Sequence, residues 1–259
     1  MATIYAVDLI AKFQYAYDNK WGYIYGAWHE TWTQAKQNSL VNKFVSNYGA
    51  NWKSNPSAKE QDKYYGAVYG AKWIGHIVTD CSGLFYWAFK ELGGYMYHGS
   101  NTMYNKYCTS KGKLNKKGRT DGQELKPGTA VFTGNDSNHG HVGLYIGNDK
   151  VIEASGTQAG VIITTISGGK WTYWGELKGV TYAAKGKEES KVPEDNTSNT
   201  KSALVIGTRL ALRSAPSTSA TVLMRVNTGE RVQLLDDTEW VKVKYQGKTG
   251  YMMAKYLQF

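Results

Sequence analysis

The chain has 259 residues, 41% of them hydrophobic and 14% aromatic, and a formal net charge of +10 at pH 7. This composition is sufficient for a real hydrophobic core, in one large domain and a small one. The charge predicts attraction to polyanions, but the chain has no Lys/Arg-rich block or nucleic-acid fold signature, so we expect no nucleic-acid partner.

Two cysteines, Cys81 and Cys108, are too few for a disulfide framework, although a single bridge between them stays open at this point. The first eighteen residues lack a basic segment followed by an apolar one, so the sequence predicts no signal peptide. No apolar stretch approaches the ~20 residues of a membrane span, and we expect no membrane insertion. Either a signal was trimmed or the protein leaves the cytoplasm by another route.

The first part of the chain has the pattern of an α+β domain. A helix is predicted near residues 5–18, and 29–75 combine helical patterns with polar loops. After Gly128 the pattern changes to strands, at 129–133, 141–146, 151–155 and 161–165. Helices followed by strands indicate helices packed on an antiparallel sheet.

A helix is predicted to begin at Cys81. Asp80 or Thr79 can cap it, and Leu84, Ala88 and Leu92 recur at the spacing of a buried helical stripe. The free N–H groups of a first helical turn favour a thiolate, so we expect a lowered pKa for Cys81. Packing is nevertheless the commonest role of a lone cysteine.

A strand carrying His141 and a strand carrying Glu153 form the second signal. The turn between them is centred near Gly147, so a hairpin places the two side chains nearly opposite each other. A carboxylate beside an imidazole fixes its tautomer. Gly143, on the same strand face as His141, is expected to leave space beside the ring. His139 and His141 lack further ligands at metal-binding spacing, so no metal site is predicted.

The C-terminal part is separated by a polar segment. Residues 187–202 contain one apolar side chain, Val192, and this composition predicts a flexible linker. In 240–245 the side chains alternate as in a half-buried strand, and Gln246-Gly247 predicts a tight turn. Four or five short strands in 203–259 predict a small all-β barrel.

Two family resemblances follow from these stretches. The sequences LALRSAPSTSATVLMRVNTGERVQLL and WVKVKYQGKTGYMMAKYL resemble a bacterial SH3-type domain, which implies wall binding, with Trp240, Tyr245 and Tyr251 as candidate contacts. The sequences DCSGLFYWAFKELG, LKPGTAVFTG and HVGLYIGNDKVIEASG resemble the NlpC-type peptidoglycan cysteine peptidases. That resemblance implies a papain-like fold for residues 1–186, with an insertion at about 27–78 that suggests an extra subdomain over the cleft.

The NlpC-type resemblance implies a catalytic set of Cys81, His141 and Glu153. The third position in that family is most often His, so Glu153 is a departure that CHAP-type wall enzymes share. Tyr23 is the candidate for the family's tyrosine before the nucleophile, with Tyr69 as a rival. Tyr23, Ser82 and Asp80 are the candidate oxyanion or substrate residues.

The implied function is hydrolysis of a peptidoglycan stem-peptide bond, most simply γ-D-glutamyl to the diamino acid, without a cofactor. Peptidoglycan and anionic wall polymers are the implied partners, and the site of action is the wall outside the cell. A catalytic domain followed by a wall-binding domain, without a visible signal peptide, resembles a phage endolysin, and an autolysin is the other possibility. An N-acetylmuramoyl-L-alanine amidase and a catalytically inactive wall-binding protein are the alternatives.

Overall fold

A computed structural model describes residues 3–182, 202–207, 210–226, 230–235, 239–245 and 248–258. The predicted linker lies outside these residues, except Ser202, and so does the predicted turn at 246–247. Within the described residues, no helix is both long and apolar enough to cross a membrane.

The described residues of the first part form six α-helices, and three of them, α1, α5 and α6, pack against the central sheet. The predicted N-terminal helix is present as α1, and the helix predicted at Cys81 is α5. The helices are α1 (Ala6–Asp18), α2 (Gln34–Tyr48), α3 (Pro56–Lys59), α4 (Tyr64–Tyr69), α5 (Cys81–Glu91) and α6 (Ser100–Tyr107).

The central sheet has seven strands, all paired antiparallel, in the order β10-β9-β8-β7-β11-β5-β6. All four strands predicted between residues 129 and 165 are present. Each extends one to three residues beyond a predicted end, and the first begins at Ala130, one residue later than predicted. Their bounds are β5 (Cys108–Asn115), β6 (Gly118–Arg119), β7 (Ala130–Asn135), β8 (Asn138–Gly147), β9 (Lys150–Gly156), β10 (Gly160–Thr165) and β11 (Tyr173–Leu177).

The main core lies between this sheet and helices α1, α5 and α6. Phe13 of α1 and Phe85 of α5 are fully buried, with ring centroids 4.6 Å apart. Val142 and Leu144, two residues apart on β8, face this core because strand side chains alternate between the faces. The helix that begins at Cys81 is thereby fixed directly against β8.

Residues 27–78 fold around a second core of their own. Its largest buried members are Trp32, Trp52, Phe44 and Trp73. Three short strands join this segment to the rest, with β4 between the other two: β2 (Gly22–Tyr23), β3 (Trp28–Thr31) and β4 (Ile77–Thr79). A parallel pair, β1 (Ile4–Tyr5) with β12 (Val180–Thr181), ties the start of the domain to its end.

The C-terminal part is a separate antiparallel sheet with its own core. The alternation predicted for 240–245 is present, since Val241 and Val243 are fully buried. The described residues of this part form seven strands rather than the expected four or five, because strands at both termini of this part join the sheet. They are β13 (Ser202–Val205), β14 (Leu210–Arg213), β15 (Val222–Val226), β16 (Arg231–Leu234), β17 (Trp240–Tyr245), β18 (Lys248–Met253) and β19 (Leu257–Gln258). This all-β arrangement is consistent with an SH3-type fold.

Candidate active site

Asp80 is the N-cap of α5 and places Cys81 in its first turn. Oδ1 of Asp80 accepts the backbone N–H of Gly83 at 2.7 Å and the hydroxyl of Ser82 at 3.2 Å. Oδ2 of Asp80 lies 2.9 Å from Nε2 of His98, and this bond raises the pKa of His98. Asp80 and Ser82, both candidate substrate residues, are therefore engaged in holding the helix start.

Cys81 is buried and faces the backbone of β8. Burial, together with the charge of Asp80, raises the pKa of Cys81 to about 12, although hydrogen bonds from the backbone N–H groups of Val142, Ser82 and Cys81 act against the rise. The expected low pKa is therefore wrong, because removing the sulfur from water outweighs the helix terminus. Both Cys81 and Cys108 are free thiols, which excludes the bridge that the sequence left open.

His141 and Glu153 are in direct contact, as the predicted hairpin requires. Nε2 of His141 lies 2.6 Å from Oε2 of Glu153, whose side chain is fully buried. The carboxylate also accepts the hydroxyl of Thr164 at 2.6 Å and contacts Nζ of Lys170 at 2.5 Å. Burial alone would raise the pKa of Glu153, but the bonds from His141, Lys170 and Thr164 together lower it to about 2.

An ionised Glu153 determines which nitrogen of His141 carries the proton. A carboxylate can only accept, so Nε2 must be the protonated nitrogen and Nδ1 is left as the basic one. The hydrogen bond from the N–H of Val142 brings the sulfur of Cys81 to the peptide bond that joins His141 to Val142. No direct hydrogen bond between the Cys81 and His141 side chains occurs among the described residues.

The imidazole of His141 stacks on Trp171, which the sequence analysis missed. Their ring centroids are 5.6 Å apart at an interplanar angle of 17°. The space that Gly143 was expected to leave for a substrate is instead filled, since an added Cβ there would lie 2.6 Å from Val151 and 2.7 Å from Trp171. Trp171 and Lys170 follow a Gly-Gly pair and carry no motif, so no sequence signal identified them.

His139 points away from His141 despite their spacing of two. A register shift on the neighbouring strand β7 interrupts the alternation, and His139 packs on Tyr104 with ring centroids 3.7 Å apart. Burial lowers the pKa of His139. Among the described residues, no group of three or more His, Cys, Asp or Glu side chains is arranged to hold a metal ion.

Tyr23 lies beside the nucleophile and lines a groove. Burial, and to a smaller extent the proximity of Cys81, raises the pKa of Tyr23 well above its usual range. The groove has a volume of about 420 Å³ and is lined by Tyr23, by residues 155–159, and by Asp62 and Tyr65. The last two belong to the 27–78 segment, so that segment forms one wall of the groove.

Tyr69, the rival tyrosine, lies next to the groove but does not line it. It is 40% exposed and stacks on Tyr65, with centroids 6.2 Å apart at 12°. Tyr23 lines the groove and is close enough to Cys81 for the sulfur to affect its pKa, whereas Tyr69 does not line the groove. The structure therefore favours Tyr23 over Tyr69 as the tyrosine beside the nucleophile.

The candidate wall-binding residues divide between two faces of the C-terminal sheet. Tyr251 is paired with Lys242, and Trp240 shares the face of Lys242, opposite to the core. Tyr245 instead packs against the core with Val243. The structure therefore brings Trp240 and Tyr251 to one face and separates Tyr245 from them.

Two family models match the chain. Residues 63–177 match the NlpC/P60 family, and residues 208–258 match the bacterial SH3 domain. The chain carries an NlpC/P60 domain followed by a bacterial SH3 domain. The NlpC/P60 match includes Cys81, His141 and Glu153, whereas Tyr23 precedes it.

Solved structures with low overall similarity include several NlpC/P60 proteins. NlpC1 from Trichomonas vaginalis is 27% identical, with a TM-score of 0.28, over 38% of this chain and 36% of that one. The peptidoglycan hydrolase RipB from Mycobacterium tuberculosis is 20% identical, with a TM-score of 0.31, over 54% of this chain and 80% of that one.

RipD from Mycobacterium tuberculosis is a non-catalytic NlpC/p60 domain protein adapted to peptidoglycan binding. It is 22% identical, with a TM-score of 0.30, over 40% of this chain and 71% of that one. The chain spans little more than a third of the length of NlpC1 and of its Trichomonas relative NlpC2. No curated protein matches the chain.

Proposed function

We propose that this chain is a cysteine peptidase that hydrolyses a stem-peptide bond of bacterial peptidoglycan, most simply γ-D-glutamyl to the diamino acid. The observation that carries the proposal is the ionised, buried Glu153 bonded to Nε2 of His141, on the strand whose backbone contacts Cys81. An imidazole with its distal nitrogen fixed in this way is suited to act as a general base.

In the proposed reaction Cys81 starts as a thiol. The substrate brings the thiol to His141, and Nδ1 accepts its proton as the sulfur attacks the peptide carbonyl; such catalytic hydrogen bonds often tighten only when substrate binds. The backbone N–H of Cys81 and the hydroxyl of Tyr23 stabilise the oxyanion. His141 then protonates the leaving amine, and water hydrolyses the thioester to release the acid and restore the thiol.

The ion pairs at Glu153 keep the charge balanced during this cycle. Glu153 is paired with Lys170 while His141 is neutral, and it also stabilises the imidazolium once the proton has moved. The reaction needs no cofactor in this scheme. The bacterial SH3 domain holds the enzyme on the wall, with Trp240 and Tyr251 as wall contacts, and so raises its local concentration. Anionic wall polymers are the second partner, attracted by the net charge of +10.

The proposed site of action is the bacterial wall, reached after phage-type release or by export. Mass spectrometry of purified wall digested by the wild-type chain and by Cys81→Ala tests the activity. New free amino groups on the diamino acid, absent with Cys81→Ala, support the peptidase. Release of stem peptides from lactyl groups would assign an amidase, and an undigested wall with retained binding would assign a non-catalytic wall-binding protein.

A further inference from the structure

Five aromatic side chains form a continuous row on the surface of the NlpC/P60 domain. Tyr86 contacts Trp28 and Tyr95, with ring centroids 5.0 and 6.4 Å away. The row continues from Tyr95 to Tyr107 at 6.1 Å and from Tyr107 to Tyr97 at 6.2 Å. We call these five residues the aromatic row. It is separate from the groove lined by Tyr23 and includes none of the residues in the proposed reaction.

Three members of the aromatic row are exposed, and Tyr86 and Tyr107 are half-buried. Tyr95 is 59% exposed, Tyr97 42% and Trp28 38%. Single exposed rings are common on protein surfaces, but a contiguous set of them marks a binding surface more often than a folding requirement. Of the five rings only Tyr107 packs against the main core, whereas the inner face of α5 is buried by Phe85 and Phe89.

His98 connects the aromatic row to the proposed active site. The imidazole of His98 stacks on Tyr86, with centroids 6.2 Å apart at 29°. His98 is bonded to Asp80, which caps the helix that begins at Cys81. A ligand lying along the row would therefore pass Tyr86 and the His98–Asp80 pair that holds the start of the helix at Cys81.

The chemistry of the row selects the ligand class. Its members present flat apolar rings, and the four tyrosines carry phenol hydroxyls at their edges. Among the described residues, Nζ of Lys90 lies over the ring of Trp28, 4.6 Å from its centroid. A polyanion would require a denser set of cations. A sugar ring presents apolar C–H faces that pack on aromatic rings and hydroxyl or amide groups that bond to phenols.

We propose that the aromatic row binds the glycan strand of peptidoglycan, so that the NlpC/P60 domain holds the strand from which the scissile peptide branches. This inference rests on the proposed function for its substrate. It differs from that function because it assigns a carbohydrate site to the NlpC/P60 domain itself.

Glycan binding is tested without turnover. The full chain carrying Cys81→Ala is titrated with peptide-free glycan oligomers of alternating N-acetylglucosamine and N-acetylmuramic acid. Isothermal titration calorimetry gives the Kd of each variant. Adding Tyr95→Ala and Tyr97→Ala is expected to raise the Kd roughly fivefold or more, as loss of exposed aromatic anchors does. Adding Tyr17→Ala, an exposed tyrosine on α1, is the matched control and should leave the Kd unchanged. Equal Kd values for the row variant and the control overturn the proposal.

A kinetic comparison separates this site from the reaction itself. In the active chain, Tyr95→Ala with Tyr97→Ala should lower kcat/KM for a stem peptide attached to a glycan oligomer and leave kcat/KM for the free stem peptide unchanged. An equal loss on both substrates overturns glycan binding by the row. If the wild-type chain cleaves neither substrate, the proposed function fails, while the calorimetric result still decides the glycan site.

Discussion

At the scale of single residues, Glu153 connects folding to the proposed chemistry. Its carboxylate is fully buried, and burial of a charge costs free energy unless hydrogen bonds and counter-charges compensate. Three partners compensate here: an imidazole, a hydroxyl and an ammonium group. The same contacts that keep Glu153 ionised also fix the tautomer of His141.

Glu153→Gln tests this compensation through its pH dependence. The pKa of Glu153 is lowered from 4.5 to about 2, so its ionised form stabilises the fold above pH 4.5 and that stabilisation is lost as the pH falls towards 2. This shift corresponds to about 3 kcal/mol at neutral pH. Urea unfolding at pH 7, 4 and 3 should show a difference between wild type and variant that shrinks with acid. A difference independent of pH would contradict the assignment.

Lys170 has a positioning role, because it helps to keep Glu153 ionised beside His141, and a variant without the ammonium charge should reveal that role. Without its ammonium group the pKa of Glu153 rises, because one of the contacts that lower it is gone. We expect Lys170→Met to move the acid limb of the kcat/KM profile to higher pH and to lower activity roughly tenfold or more. Lys170→Arg keeps the charge and should keep the profile of the wild type. A loss that is equal at every pH would indicate a merely structural side chain.

At the scale of elements, β8 and the residues that follow β10 orient His141 together. Gly143 allows Trp171 to approach β8, and Trp171 in turn stacks on the imidazole. Gly143→Ala forces the indole away, which we expect to cost about 1–3 kcal/mol of unfolding free energy and to reduce kcat. Thermal unfolding and turnover of stem peptide measure both effects.

Gly140→Ala is the matched control for that change. Gly140 lies on the same strand, next to His141, and an added Cβ there meets nothing within 4 Å. The control variant should retain both stability and turnover. If Gly143→Ala behaved like Gly140→Ala, the packing of Trp171 would not be what orients the imidazole.

The elements around the site were predictable where the determining contacts are local. The helix at Cys81 follows from a capping Asp80 and an apolar stripe within eleven residues, and the contact between His141 and Glu153 follows from one hairpin. Trp171 and Lys170 were not predictable, because they reach the site through the packing around β11, which pairs with both β7 and β5. The direction of the Cys81 pKa was mistaken for the same reason, since burial is a property of the packed core.

At the scale of the whole molecule, the +10 net charge predicts how the chain meets the wall. Attraction between a basic protein and anionic polymers weakens as salt shortens the range of the field. We expect the fraction of protein that pellets with purified wall to fall as NaCl rises from about 50 mM to about 500 mM. Turnover of a free stem peptide should change little over the same range, since Cys81 and Glu153 are buried and His141 is mostly so. Wall binding that is insensitive to salt would show that the net charge does not attract the chain to the wall.

The proposed reaction depends on Cys81 as the nucleophile, and two cysteine variants test this assignment directly. Cys81 and Cys108 are both buried free thiols, so Cys108→Ala is the matched control for Cys81→Ala. The decisive measurement is kcat/KM on a soluble stem peptide for both variants, each shown to be folded by circular dichroism. We predict no detectable turnover for Cys81→Ala and turnover within about threefold of wild type for Cys108→Ala. Wild-type turnover in a folded Cys81→Ala chain would contradict the assignment.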